Sequence, residues 1–223
     1  KQSQKQGGVL DFPVTQEMVE KAKDPRVSRV SYAMVRGKLN GETVEIPYSI
    51  AYEQESREIA AVFDKLANLV LDQELKTYLI AHRDAFLWNR WEEKNQIWLE
   101  ILMQAKQENK EPFGGSKLVF YAGPYEREFS DKRAFQMVLG ISDSQFEDDA
   151  KTIEGLLPSY LEKQKISAEG SRALYHIFAL QAFALSVPGR LVAQELPPDD
   201  SVKGQTGQAS AHFTNRMREA YET

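Results

Sequence analysis

Glu126 and Glu128 are separated by one residue, a spacing that in a β-strand turns both carboxylates to one face, roughly 7 Å apart. Two acids so placed raise one another's pKa, or together hold a cation or an ammonium group. The plainer alternative is a pair of solvated carboxylates beside Arg127 and Lys132. Asp148-Asp149 and Asp199-Asp200 read as the first half of a helix and as a loop. A zinc hydrolase commonly sets two histidines on one helix face, four or five residues apart. Here His82, His176 and His212 are far apart in sequence, and each reads as a surface or satisfied core residue. There is no cysteine, which excludes thiol catalysis, disulfides and cysteine-rich zinc sites. The G-x-S-x-G serine elbow and the phosphate-cradling glycine motifs are absent from the sequence. Gly114-Gly115-Ser116-Lys117 is a glycine-rich turn that precedes a strand, so it lacks the helix N-terminus that would hold an anion. The chain therefore carries no complete catalytic centre of its own, and no metal site is expected within it.

These residues need a frame, and the periodicity of the chain supplies one. Residues 1–14 read as a flexible leader. Thr15 suits the N-cap of a short helix over Gln16–Lys23, which Asp24-Pro25 stops. Val30, Tyr32 and Met34 alternate with polar or small residues, as do Val44, Ile46 and Tyr48, and Asn40-Gly41 lies between them. That pattern predicts a β-hairpin from Arg29 to Tyr48. Ile59, Val62, Phe63, Leu66, Leu69 and Val70 then recur at helical spacing, Asp72 opens a second helix, and Trp88 to Leu102 marks a third. All three tryptophans fall in this region; they read either as core or as an exposed aromatic contact surface. Beyond a break at Pro112 to Ser116, a strand is expected from Leu118 to Gly123-Pro124, and another around Phe135 to Ile141. Ser144 to Leu157 predicts a helix stopped by Pro158. Strands are expected on either side of Pro188-Gly189, with a loop at Leu196 to Asp200 and a polar stretch at Lys203 to Gln208. The expected fold class is α+β, a helical first half packed on a mostly antiparallel, strand-rich second half. Residues 15–112 hold the hairpin and helices, and residues 113–223 the strands and one helix, in one compact unit.

The 223 residues are 42% hydrophobic, enough to build a core. The formal net charge is −5, and no cluster of Lys and Arg offers the basic face that phosphates require, so nucleic acid is excluded as an expected partner. No run of residues is long and apolar enough for a transmembrane helix. The chain begins with Lys1 rather than Met, which leaves room for a removed signal peptide or lipid anchor. With the missing cysteines, this gives a slight lean toward a soluble, exported or periplasmic protein.

The segments YAGPYERE, from Tyr121, and KRAFQMVLG, from Lys132, resemble a motif of the dipeptidyl-peptidase III family and its bacterial zinc-hydrolase relatives. In that family a strand of type Y-I-G-P-Y-E-x-Y precedes a short acidic connection and a K-A-A-F-E-A-F-V segment. The stretch from Ile46 to Leu79, NRWEEKNQIWLE from Asn89, and ELPPDD from Glu195, with Gly207 and Asn215 after it, extend the resemblance in the same order. It implies a lobe of a two-lobed peptidase whose β-core pairs, along an exposed edge, with an extended peptide. The zinc motif of such enzymes sits in a second lobe, after the part seen here, so zinc enters only if that lobe exists. Glu126 matches the glutamate that anchors the substrate's free amino group. Glu128 stands where the family has a tyrosine that assists the transition state. Glu195 and Pro198 stand where asparagines help hold the peptide terminus. The ligand-binding residues implied are therefore Tyr121, Gly123, Tyr125, Glu126, Glu128 and Glu195.

Three functions follow as expectations: a non-catalytic lobe that binds an extended peptide or small amine; the N-terminal lobe of an active zinc peptidase; and an interaction module that presents its tryptophan-rich helices to a second lobe or partner protein.

Overall fold

The computed structural model describes residues 12–30, 33–126, 134–163, 175–185, 193–196 and 208–214. They form an α+β protein with a helical first half and a strand-rich second half, whose pairings are mostly antiparallel. The chain divides into two compact units, residues 1–97 with 123–135 and residues 98–122 with 136–223.

The first unit opens with β1 (Phe12–Pro13), which pairs in parallel with β2 (Met34–Leu39), and β2 pairs with β3 (Glu42–Pro47) as a hairpin. Phe12 to Val14, placed with the leader in the sequence reading, is thus part of the fold. Asn40 and Gly41 both adopt positive φ, 52° and 87°, as a two-residue hairpin turn requires. The strand begins at Met34, later than the alternation predicts. Upstream of it, the Ser28 N–H donates to Trp88 O and the Ala33 N–H to Val30 O, so this segment is committed to other partners. Thr15 caps α1 (Gln16–Lys21) by accepting from the Met18 N–H, and Asp72 caps α4 (Gln73–Trp88) by accepting from the Leu75 N–H. Between them lie the single turn α2 (Tyr48–Ala51) and α3 (Glu53–Leu69).

The helix expected around Ile59 is present, but with its faces exchanged. Its buried residues are Ser56, Ala60 and Ala67, while Ile59, Val62, Leu66 and Leu69 are exposed. Small side chains let α3 approach α4 closely, and Phe63 fills the contact by stacking on His82 at 4.9 Å and on Phe86 at 5.9 Å. Phe86 continues the aromatic cluster to Trp91 at 5.0 Å and to Phe135 at 5.7 Å.

α5 (Trp91–Gln107) starts in the first unit and ends in the second. Trp91 and Trp98 are buried and belong to the interior, while Trp88 is half-buried. A 3-10 turn at Phe113–Gly115 leads into β4 (Leu118–Glu126). β5 (Ala134–Ser142), α6 (Ser144–Lys163), β6 (Tyr175–Leu185), β7 (Ala193–Leu196) and β8 (Gln208–Phe213) follow, and the five strands are ordered β4-β5-β6-β8-β7. A register shift at Leu139/Gly140 marks a bulge between β5 and β6. β4 continues past Gly123-Pro124, and α6 continues past Pro158. The proline lacks a backbone donor, and Ser159 Oγ donates to Leu156 O at 2.9 Å. The strands expected on either side of Pro188-Gly189 are β6 and β7; the dipeptide itself lies outside the described residues. β8 was not legible in the sequence. Among the described residues, no helix is long and apolar enough to cross a membrane.

Gly37 faces Phe12 across the parallel pair. A Cβ there would lie 2.1 Å from Phe12 O and 2.4 Å from Val14 Cγ2. Gly37→Ala is expected to force β1 off β2 and lower stability by about 1 to 3 kcal/mol, read as a lower urea midpoint. An unchanged midpoint would show that β1 contributes nothing to the unit.

Candidate functional site

β4 holds the motif residues on one continuous strand, and in the strand order of the sheet it is an edge. The chain enters it through three successive residues of positive φ, Phe113, Gly114 and Gly115. The turn is closed by Leu118 N–H donating to Ser116 Oγ at 3.2 Å. The Ser142 N–H donates to Lys117 O at 2.8 Å, which fastens the start of β4 to the end of β5. Exposure then falls sharply along the strand, because Leu118 is open to solvent and Tyr121, Ala122, Gly123 and Pro124 are all buried.

Tyr121 is 2% exposed, and burial pushes its hydroxyl pKa far up, so it stays protonated. Its ring is interior. Tyr125 and Glu126 are the last residues of β4, and Gly123 and Pro124 precede them directly. Glu128 and Pro198 lie outside the described residues. Glu195 is on β7, in register with Ser210 of β8. β4 and β7 stand at opposite ends of the strand order, so ladder pairing does not bring Glu195 beside Glu126.

A second group of polar residues is buried in the first unit, at the junction of α4 and α5. Asn89 caps α4 in the left-handed conformation, with φ 58°, one of the few non-glycine types that accept it. Its Nδ2 donates to Ser28 O at 3.0 Å, and its Oδ1 accepts from Trp91 Nε1 at 3.0 Å. Lys94 is 1% exposed and Asn95 is 2% exposed. Sequence reasoning missed both, although the signal was present. Trp91, Lys94 and Asn95, Trp98, and Leu102 with Ala105 recur at three to four residues, which puts the lysine and asparagine on the apolar stripe of α5. In the second unit, Thr214 Oγ1 donates to Asp143 Oδ2 at 2.6 Å, and both residues are buried.

His82 is fully buried, with its Nδ1–H donating to Tyr78 O at 3.0 Å. Burial, and then the positive charge of Lys94, drive its pKa well below the ordinary value, against the weaker pull of the Tyr78 carbonyl. His176 is on β6, and His212, on β8, is itself held below the ordinary value by burial. Among the described residues, no group of three His, Asp or Glu side chains could hold a metal ion.

No family model matches the chain. Nudix hydrolase 3 of Arabidopsis thaliana is 27% identical over an alignment of 195 residues, and the match covers 82% of this chain and 23% of that protein. The dipeptidyl-peptidase III of Caldithrix abyssi superposes with a TM-score of 0.72 at 21% identity, covering 94% of this chain and 41% of that one. The dipeptidyl-peptidase III of Corallococcus sp. strain EGB gives 0.67 at 20% identity, covering 91% and 38%. The fold is dipeptidyl-peptidase III-like over most of the chain. The chain spans less than half the length of each of these proteins.

An imidazole held neutral by the fold makes stability depend on pH with a defined sign. The unfolded chain protonates His82 near its usual pKa of about 6.5, and the folded chain does so only well below that. The stability tied to neutral His82 is complete above about pH 6.5 and falls as pH drops, by at most about 1.4 kcal/mol per unit. Between pH 7.5 and 5.5 the parent is expected to lose about 1 kcal/mol more than His82→Phe in urea unfolding. Equal losses would contradict a neutral His82.

Proposed function

We propose that this chain is a peptide- or amine-binding lobe, related by fold to dipeptidyl-peptidase III and without a complete catalytic centre of its own. The observation that carries this reading is the position of the YAGPYE segment, which forms β4 at the edge of the five-stranded sheet. Proline within a sheet is confined largely to edges, and Pro124 sits in the middle of the motif. An extended peptide would add to the sheet along β4 by backbone hydrogen bonds. Glu126 ends the strand, and there its carboxylate would meet the peptide's amino terminus. Tyr125 and Glu128 flank it, Gly123 lets another backbone approach closely, and Tyr121 supports the strand from the interior. Glu195 has a place in this site only if a ligand reaches both edge strands.

A second reading makes the chain the first lobe of a longer zinc-dependent peptidase. It is favoured by α3, where Leu69 is 79% exposed and Leu71 beyond it 100%. With Ile59, Val62 and Leu66, these residues make an apolar stripe of the kind proteins cover. A reading frame continuing past Thr223 into a helix with zinc-binding histidines supports it, and a stop codon there removes it. The hydrolase activity named for the plant relative is not carried over, since the match covers 23% of that protein.

A charge-assisted hydrogen bond from an ammonium group to Glu126 is worth about 1.5 to 3 kcal/mol. Glu126→Gln is therefore expected to weaken tetra-alanine with a free amino terminus by roughly 10- to 100-fold in calorimetry. N-acetylated tetra-alanine should bind parent and variant alike. Equal affinity of the free-amine peptide for both proteins would remove Glu126 from the site.

A further inference from the structure

The end of α1, the turn after it, α2, the start of α3 and the end of α4 surround an open cavity of about 740 Å³, within the size range of small-molecule sites. It lies wholly in the first unit, and no residue of β4 lines it. Its floor is apolar, with Ile50, Phe86 and Trp88 among the lining side chains. Ser49 lines it and is 4% exposed, and its Oγ is the buried side-chain polar atom that has no hydrogen-bond partner among the described residues. Native proteins leave few such groups, and each calls for an explanation.

The charges around the cavity are unevenly committed. Asp24 accepts from the Arg26 side chain and backbone, Glu20 from Lys23 and Gln16, and Glu53 from Lys21 and Arg57. The lining carboxylates are thus engaged. Arg26 and Arg57 bind their acids through Nε and Nη2, which leaves each Nη1 with hydrogens to donate. Lys21, Lys23, Arg26 and Arg57 stand against Glu20, Asp24 and Glu53 around the cavity, and Lys21 also pairs with Glu17, outside the lining, at 3.0 Å. Arg26 is also fixed in place, its guanidinium carbon 4.2 Å from the centroid of the Trp88 ring. The Asp24 carboxylate and the Trp88 face thus set the orientation of the guanidinium and of its remaining Nη1 donors.

We infer that this cavity binds a small carboxylate with an aromatic or otherwise apolar body. The carboxylate takes the spare arginine donors at the rim, the body lies on Ile50, Phe86 and Trp88, and an acceptor on the ligand satisfies the Ser49 hydroxyl. The probe is indole-3-acetate, titrated into the intact chain and followed by calorimetry, with tryptamine as the same ring carrying the opposite charge. Saturable one-to-one binding of indole-3-acetate is expected, with tryptamine at least about tenfold weaker. Arg57→Gln, at a side chain that is 68% exposed, is expected to weaken indole-3-acetate about tenfold. Ser49→Ala is expected to weaken it several-fold while leaving the unfolding midpoint level or higher. Tryptamine binding as tightly, indole-3-acetate failing to bind the parent, or both variants binding it like the parent would overturn the assignment. None of these results bears on Glu126, so the peptide-edge reading stands or falls separately.

Discussion

An edge strand leaves a row of backbone donors and acceptors that the sheet itself does not pair. β4 is such a strand, and the functional account rests on that constraint. Buried Tyr121, Ala122, Gly123 and Pro124 hold the strand in the protein, and in the strand order of the described residues it has β5 as its one neighbour. Under the proposed function an extended peptide would add to β4 as a sixth strand does, and the carboxylate of Glu126 would distinguish one end of the peptide from the other.

Each unit buries polar groups among its apolar side chains. Asn89 joins α4 to α5 through a left-handed cap and two side-chain hydrogen bonds, and so sets where Trp91 enters the cluster with Phe86 and Phe135. Lys94 and His82 lie in the same unit, and the cost of burying the cation is one reason the imidazole stays neutral. Buried polar groups of this kind fix a single arrangement only when they are satisfied. Asn89 meets that condition with two partners, and the Asp143–Thr214 pair in the second unit is a further example.

Local signals were the legible part of the sequence. The caps at Thr15 and Asp72, the Asn40-Gly41 turn and the α+β class can all be read from residue types alone, because each depends on one or two side chains and their own backbone. Misreadings arose where tertiary contacts override the local pattern. Ile59, Val62, Leu66 and Leu69 have the spacing of a buried stripe, but the close approach of α4 selects Ala60 and Ala67 instead. β8 is short and rich in small residues, and pairing with β6 and β7 on its two sides holds it. Of the candidate site, the motif and its strand could be read, and the resemblance to dipeptidyl-peptidase III agrees with the fold. The separation of Glu195 from Glu126 in the strand order could not, since it depends on how β6, β7 and β8 are threaded.

Amide hydrogen exchange along β4, with and without free-amine tetra-alanine, tests the central claim most directly. The account predicts that amides within Leu118–Glu126 gain protection when the peptide binds, while those of β6, inside the sheet, keep theirs. Peptide binding that leaves every β4 amide unchanged would contradict it.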